Sequence, residues 1–153
     1  MYEVTKEIKW CMGHRLTHGY PNRCKNLHGH NYKVFVTLKT TLLNEVGMVV
    51  DFGDIKRLVE KWIMNNWDHA TLVDPTDTNL LFFLEVEKQA HFLIEDDCNT
   101  TAEWMSKFLF HKVRDLLREA GINNVDVSKI KVYETDSSYA TYTESTICSC
   151  GDK

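Results

Sequence analysis

The sequence predicts an α+β fold, an antiparallel sheet with two helices packed on one of its faces. Apolar residues alternate at period two near both ends of the chain and recur at helical spacing in two stretches between them. These are the repeats of a half-buried strand and of an amphipathic helix. Their order is strand, strand, helix, helix, strand, strand, with a small additional segment between the helices. Strands and helices segregated in this way build a sheet covered on one side.

The first strand lies in "VTKEIKWCMGH", where Val4, Ile8, Trp10 and Met12 share even parity and His14 continues it. The second lies in "HGHNYKVFVTLK", with His28, His30, Tyr32, Val34, Val36 and Leu38 on one face. The period then changes. Ile55, Leu58, Val59, Trp62 and Ile63 form one helical stripe, and Met105, Phe108, Leu109, Val113, Leu116 and Leu117 form another, closed by Gly121. "TTAE" predicts the start of that second helix, with Thr100 as N-cap and Glu103 completing a capping box. Between the helices "TNLLFFLEVEKQ" reads as a shorter helix and "AHFLIE" as a short strand. The end, "VSKIKVYETDSSYATYTESTI", reads as a hairpin, with Ile130, Val132 and Glu134 on one face of its first strand and Ala140, Tyr142 and Glu144 on its second. Pro21 and Pro75 both fall in polar loops.

The 153 residues suit one domain, 1–153, and the net charge of -4 supplies no basic field for nucleic acid or an anionic membrane. No apolar run approaches the roughly 18 residues of a membrane span. The five cysteines, Cys11, Cys24, Cys98, Cys148 and Cys150, are odd in number and follow no disulfide framework, which favours the reducing cytoplasm. "CSC" at Cys148 and Cys150 can bind a soft metal, but a frayed tail over 147–153 accounts for it as well.

Chemistry concentrates in "CKNLHGHNY". His28 and His30 stand at i and i+2, so they share a face, and the parity of His14 lets a neighbouring strand add a third imidazole. Three imidazoles with an open fourth position are a catalytic zinc arrangement; three satisfied core or surface histidines are the plainer alternative. Gly29 lets that strand end approach other backbone closely. Cys24, four residues before His28, is either a thiolate activated beside the metal or a fourth ligand that closes the site. His18, His91 and His111 have no such company. Asp68 directly before His69 can fix the imidazole's tautomer for proton transfer or can merely cap a helix exit. Glu134 falls on buried parity and needs a partner, such as two adjacent N–H groups of a guanidine-like ring edge, unless its strand has already ended. Glu103 has its capping explanation.

"MGHRL", "CKNLHGHNY", "GMVVDFGDIK", "NWDHATL", "TTAEW" and "VYET", in this order from about residue 4 to about 146, resemble the 6-pyruvoyltetrahydropterin synthase / 6-carboxytetrahydropterin synthase family. The resemblance implies the tunnelling fold, a four-stranded antiparallel sheet with two helices, in subunits that close a barrel as trimers and stack as hexamers. It implies zinc held by His14, His28 and His30, a catalytic thiol at Cys24, a proton relay of Asp68 with His69, and a pterin anchored by Glu134 beside a pocket segment containing Thr100, Thr101 and Glu103. It also implies a pocket built at a subunit interface and a pterin triphosphate as substrate. Three residues separate Cys24 from His28. That short gap is similar to the bacterial 6-carboxytetrahydropterin synthases of the queuosine pathway, whereas mammalian pyruvoyl-forming members have a longer one. The segment 74–97 is longer than in the shortest members and reads as a family-variable insertion.

Overall fold

A computed structural model describes residues 1–144; Cys148, Cys150 and the 147–153 tail lie outside the described residues. Two long strands, β1 (Tyr2–His14) and β2 (His28–Thr40), form an antiparallel pair along their whole length, from Tyr2 opposite Thr40 to His14 opposite His28. β5 (Asp126–Tyr133) pairs with β2, and β6 (Tyr139–Tyr142) pairs with β5, both antiparallel. These are the four strands and the hairpin that period-two alternation predicts.

The sheet is larger than expected. It has six strands in the order β4-β3-β1-β2-β5-β6. β3 (Ala70–Val73) lies parallel to the end of β1, and β4 (His91–Leu93) lies parallel to β3. The expected short strand in "AHFLIE" is β4, whereas the sequence pattern assigns no element to "ATLV". Ala70, Leu72 and Val73 are all buried, so this four-residue strand shows no alternation to detect.

One face of the sheet carries the helices. α1 (Phe52–Ile55), a π segment (Lys56–Glu60) and α2 (Lys61–Asn66) form one continuous helical run, started by Asp51, whose side chain accepts from the Gly53 N–H. α3 (Thr78–Val86) is the expected shorter helix, and α4 (Ala102–Glu119) is the long one. Ile55, Val59 and Ile63 from the first run and Met105, Leu109, Val113 and Leu117 from α4 are buried against Ile8, Trp10, Val34, Val36, Leu38, Ile130 and Val132 of the sheet. The predicted stripes therefore face the core, with Leu58, Trp62 and Phe108 at its margin. Gly121 ends α4 at φ +76°, and the Ile122 N–H reaches back to the Leu117 carbonyl, a closure that favours glycine.

The capping-box expectation fails in a specific way. The N-cap of α4 is Thr101, whose hydroxyl accepts from the Trp104 N–H at 3.3 Å, and Glu103 is exposed. Thr100 is buried one position earlier, where its carbonyl meets His14. Two threonines in succession left the cap ambiguous by one residue, and the demand of a buried imidazole for an acceptor resolves it.

Candidate metal centre and its surroundings

The β1–β2 register sets the site. His14 stands opposite His28, and Met12 opposite His30, so the shared parity of the three histidines becomes one cluster at one end of the two central strands. Their ring centroids lie 4.7 Å (His14–His28), 4.8 Å (His28–His30) and 5.4 Å (His14–His30) apart. A Cβ on Gly29 would stand 3.3 Å from the Met12 carbonyl, so this position lets the two strand ends close up.

Hydrogen bonds decide which ring nitrogen is free. His14 Nδ1 is 2.7 Å from the Thr100 carbonyl, and His28 Nδ1 is 2.7 Å from the Asn26 carbonyl. A carbonyl only accepts, so both Nδ1 atoms carry the proton and both Nε2 atoms present a lone pair. The Nε2 atoms of His14, His28 and His30 are all buried without a hydrogen-bond partner. Three buried ring nitrogens left unmatched at one point are costly unless a cation receives them. The residues therefore fit a metal, with two of the three rings oriented by backbone carbonyls. Burial also disfavours the imidazolium form. It lowers the His14 pKa to about 4 and lowers that of His30, although the Glu134 carboxylate approaches both.

Cys24 sits on a short 3₁₀ turn (Arg23–Lys25) tied by its carbonyl to the Leu16 N–H, and it is half-buried and free. Among the described residues one group whose ligand atoms all lie within 4.8 Å of one another comprises the three histidines and leaves both Cys24 and Glu134 out; a second comprises His18, Asp74 and Asp97. Glu134 is the first residue after β5, so the strand has ended, yet its side chain turns inward. Its Oε1 lies 3.3 Å from His14 Nε2 and 3.7 Å from His30 Nε2.

Asp68 and His69 do meet. His69 takes a left-handed conformation, φ +57°, with its N–H bonded to the Cys11 carbonyl at 2.7 Å, and this turn brings its Nδ1 to 2.8 Å from Asp68 Oδ2. Asp68 Oδ1 accepts from the Cys11 N–H, and that bond, together with His69, holds its carboxyl below the usual range. The His69 side chain is 79% exposed and borders a depression lined by Cys11, Met12, Gly13, Gly29, His30, Asn31 and Ala70. The pair is held through the Cys11 backbone at the edge of β1 that β3 joins, outside the group of three histidines.

Sequence reasoning missed three features. Tyr32 continues the His28, His30 parity; its ring is 5.4 Å from that of His30, and it stacks on Trp10 at 5.3 Å. Burial and the Glu134 charge push its phenol well above its ordinary pKa, so it stays protonated. Thr100 is the acceptor that orients His14. His18, expected to be solitary, lies 3.2 Å from Asp74 and 3.5 Å from Asp97. Asp74 also accepts from the hydroxyls of Thr17 and Thr76, and Arg15 makes a two-pronged bond to Asp77. This network straps the chain after β1 to the segment 74–97. Its only signal in the sequence is the acidic character of a loop. Of the other two histidines, His91 bonds the Gln89 carbonyl and His111 lies near Glu144.

Among the described residues no helix is long and apolar enough to cross a membrane. The family model described as 6-pyruvoyl tetrahydropterin synthase matches residues 3–145. The chain is 31% identical over 150 residues to the 6-carboxy-5,6,7,8-tetrahydropterin synthase of Haemophilus influenzae, covering 94% of this chain and 100% of that protein. It is 28% identical over 151 residues to the human 6-pyruvoyl tetrahydrobiopterin synthase, covering 92% and 90%. Among solved structures, an uncharacterized protein of Wolinella succinogenes superposes with a TM-score of 0.78 at 23% identity, covering 94% of this chain and 98% of that one. The 6-pyruvoyl tetrahydropterin synthase of Plasmodium vivax does so at 0.70 and 16% identity, covering 94% and 99%. These likenesses show the fold, the tunnelling fold of that enzyme group.

Proposed function

Because the chain belongs to the 6-pyruvoyl tetrahydropterin synthase family, we propose that it is a zinc-dependent lyase of pterin synthesis. Its reaction converts 7,8-dihydroneopterin triphosphate and water to 6-carboxy-5,6,7,8-tetrahydropterin, acetaldehyde and triphosphate, in the queuosine (7-deazapurine) branch. The observation that carries the reading is the convergence of three buried, unpartnered Nε2 atoms. The branch is supported by the name of the Haemophilus relative and by the three-residue gap between Cys24 and His28.

His14, His28 and His30 would hold the zinc, with Thr100 and Asn26 fixing the first two rings. When bound, zinc supplies Lewis acidity toward the hydroxyls of the substrate side chain. Cys24 lies outside the ligand group, so its sulfur is available to take a proton from that side chain. His69 carries the second proton transfer at Nε2, since its Nδ1–H is committed to the ionised Asp68. His69 is 79% exposed and outside the histidine group, and the reading assigns the pair that serves one tripod to a neighbouring copy. A homo-oligomer, trimeric or a hexamer of two trimers, follows from that requirement. Glu134 accepts from the amino-pyrimidine edge of the pterin and holds the side chain over the tripod. The reading assigns Thr100, whose carbonyl meets His14, Thr101 at the helix cap and Glu103 on the first turn of α4 to the segment lining the pterin pocket. Localisation follows from the thiols and the substrate: a cytoplasmic enzyme.

The test is a product assay by mass spectrometry on zinc-loaded protein and 7,8-dihydroneopterin triphosphate, with acetaldehyde trapped in parallel. Carboxylated tetrahydropterin with acetaldehyde is the expected result. A pyruvoyl product without acetaldehyde would place the chain with its human relative, and no turnover at all would overturn the enzyme reading.

A further inference from the structure

Tyr32 follows the parity of His28 and His30 on β2 and is 1% exposed. Its ring is fixed on two sides, stacked on Trp10 at 5.3 Å and 14° and edge-on to His30 at 5.4 Å. Among the described residues its hydroxyl is buried without a hydrogen-bond partner. A buried donor left unmatched is costly, and a phenylalanine would fill the same space without that cost. A tyrosine here is explained by an acceptor that arrives later.

The ladder identifies that acceptor. β2 and β5 pair from Val36 opposite Ile130, through Val34 opposite Val132, to Lys33 opposite Tyr133. The next step of this register sets Tyr32 across from Glu134, and both share the parity of the buried Val34, Val36, Ile130 and Val132. Directly opposed residues hold their Cβ atoms about 5 Å apart, a span that a phenol and a carboxylate can bridge. After burial, the Glu134 charge is the largest influence raising the phenol's pKa, so the hydroxyl keeps its proton and can donate it to a hydrogen bond.

In the empty site Glu134 is turned elsewhere. Its Oε1 lies 3.3 Å from His14 Nε2. That nitrogen is unprotonated, because Nδ1 of the same ring carries the proton that faces the Thr100 carbonyl. It therefore offers the carboxylate no hydrogen bond. The Glu134 side chain is 31% exposed, so an incoming molecule can reach it.

We propose that Tyr32 is the positioning residue for Glu134: its O–H, unpartnered in the empty site, donates to the Glu134 carboxylate when that carboxylate turns from the histidine nitrogens to the amino-pyrimidine edge of a bound pterin. This deepens the pterin-anchor reading of Glu134 and rests on it. A rigid donor on one carboxylate oxygen fixes the plane of the group, and the remaining lone pairs meet two adjacent N–H groups in bidentate fashion. The phenol thus lowers the ordering cost that the ligand would otherwise meet.

The experiment is a double-mutant cycle on the full-length, zinc-loaded protein, with pterin lacking a C6 side chain as the probe and its fluorescence as the readout. Tyr32→Phe keeps the stacking on Trp10 and deletes only the hydroxyl. It should weaken pterin binding about tenfold, the scale of a hydrogen bond to a charged group. In a Glu134→Ala background the same substitution should cost no more than about twofold. In turnover of 7,8-dihydroneopterin triphosphate the loss should fall mainly on KM. Without ligand or metal, Tyr32→Phe should melt about 3 °C higher than the native protein, because an unmatched donor is gone. Unchanged pterin affinity in Tyr32→Phe, or an equal loss in both backgrounds, would overturn the positioning role while leaving Glu134 as the anchor. A lower melting temperature for the ligand-free variant would also overturn it, since the hydroxyl would then be bonded in the empty fold. Failure of Glu134→Ala to weaken pterin binding would remove the anchor itself, and the positioning role with it.

Discussion

Acidification of the metal-free protein should expose the cost of burying His14. The ring is 1% exposed, and burial lowers its pKa from the 6.5 of a free imidazole to about 4. Between those values the unfolded chain binds a proton that the folded chain refuses, so stability rises with pH across this window and is lost on acidification. The contribution is complete above about pH 6.5 and gone below about pH 4. Integrating the two titrations between pH 7 and pH 5 gives a loss of about 2 kcal/mol from His14 alone. With a urea dependence of about 2 kcal/mol/M for a chain of this size, the unfolding midpoint should move down by about 1 M. The comparison is His14→Asn, which keeps an N–H to donate to the Thr100 carbonyl but does not titrate. Urea unfolding of both metal-stripped proteins at several pH values between 7 and 5 isolates the His14 term, since His30, also lowered by burial, remains in each. Parallel pH dependences in the two proteins would refute the reasoning, because they would mean that His14 is not held neutral by the fold.

Three other outcomes are expected. Cys24→Ala should cut turnover by at least about 10²-fold, the scale of lost proton transfer, while retaining one bound metal per chain; metal analysis beside the rate distinguishes a free thiol from a ligand. Asp68→Asn should lower kcat by a similar factor with little change in KM, because it leaves the pterin anchor intact and removes the charge that fixes the His69 tautomer; a change confined to KM would contradict the relay. Trp67→Leu should cost about 3 kcal/mol, since Trp67 is fully buried among Trp62, Phe92, Trp104 and Phe108. Thermal unfolding should fall by about 10 °C; a shift of under 2 °C would mean that this cluster is not part of the cooperative core.

The parts of the molecule that were legible in the sequence are those where one periodicity acts over many residues. Thirteen-residue strands β1 and β2 repeat their pattern often enough for His14, His28 and His30 to be assigned one face before any pairing is known. Register then supplies what parity cannot, namely that His14 faces His28 across the ladder. β3 was illegible for the opposite reason: four residues, three of them buried, carry no period. The roles of Thr100 and Tyr32, both named from the sequence, were not legible there because they are a matter of what the side chains meet. A threonine before a helix reads as a cap, and only the arrival of a protonated Nδ1 at its carbonyl turns it into a ring-orienting residue.

Parity and anchoring also separate the parts of the site. Even positions of β1 and β2 face the helices and carry the tripod. Asp68 and His69 hang instead from the N–H and carbonyl of Cys11, groups that bond in the plane of the sheet and toward neither face. His69 is left 79% exposed and outside the histidine group. The proposed relay, with this exposed imidazole acting on the tripod of a neighbouring copy, therefore expects activity from an assembly and none from an isolated subunit.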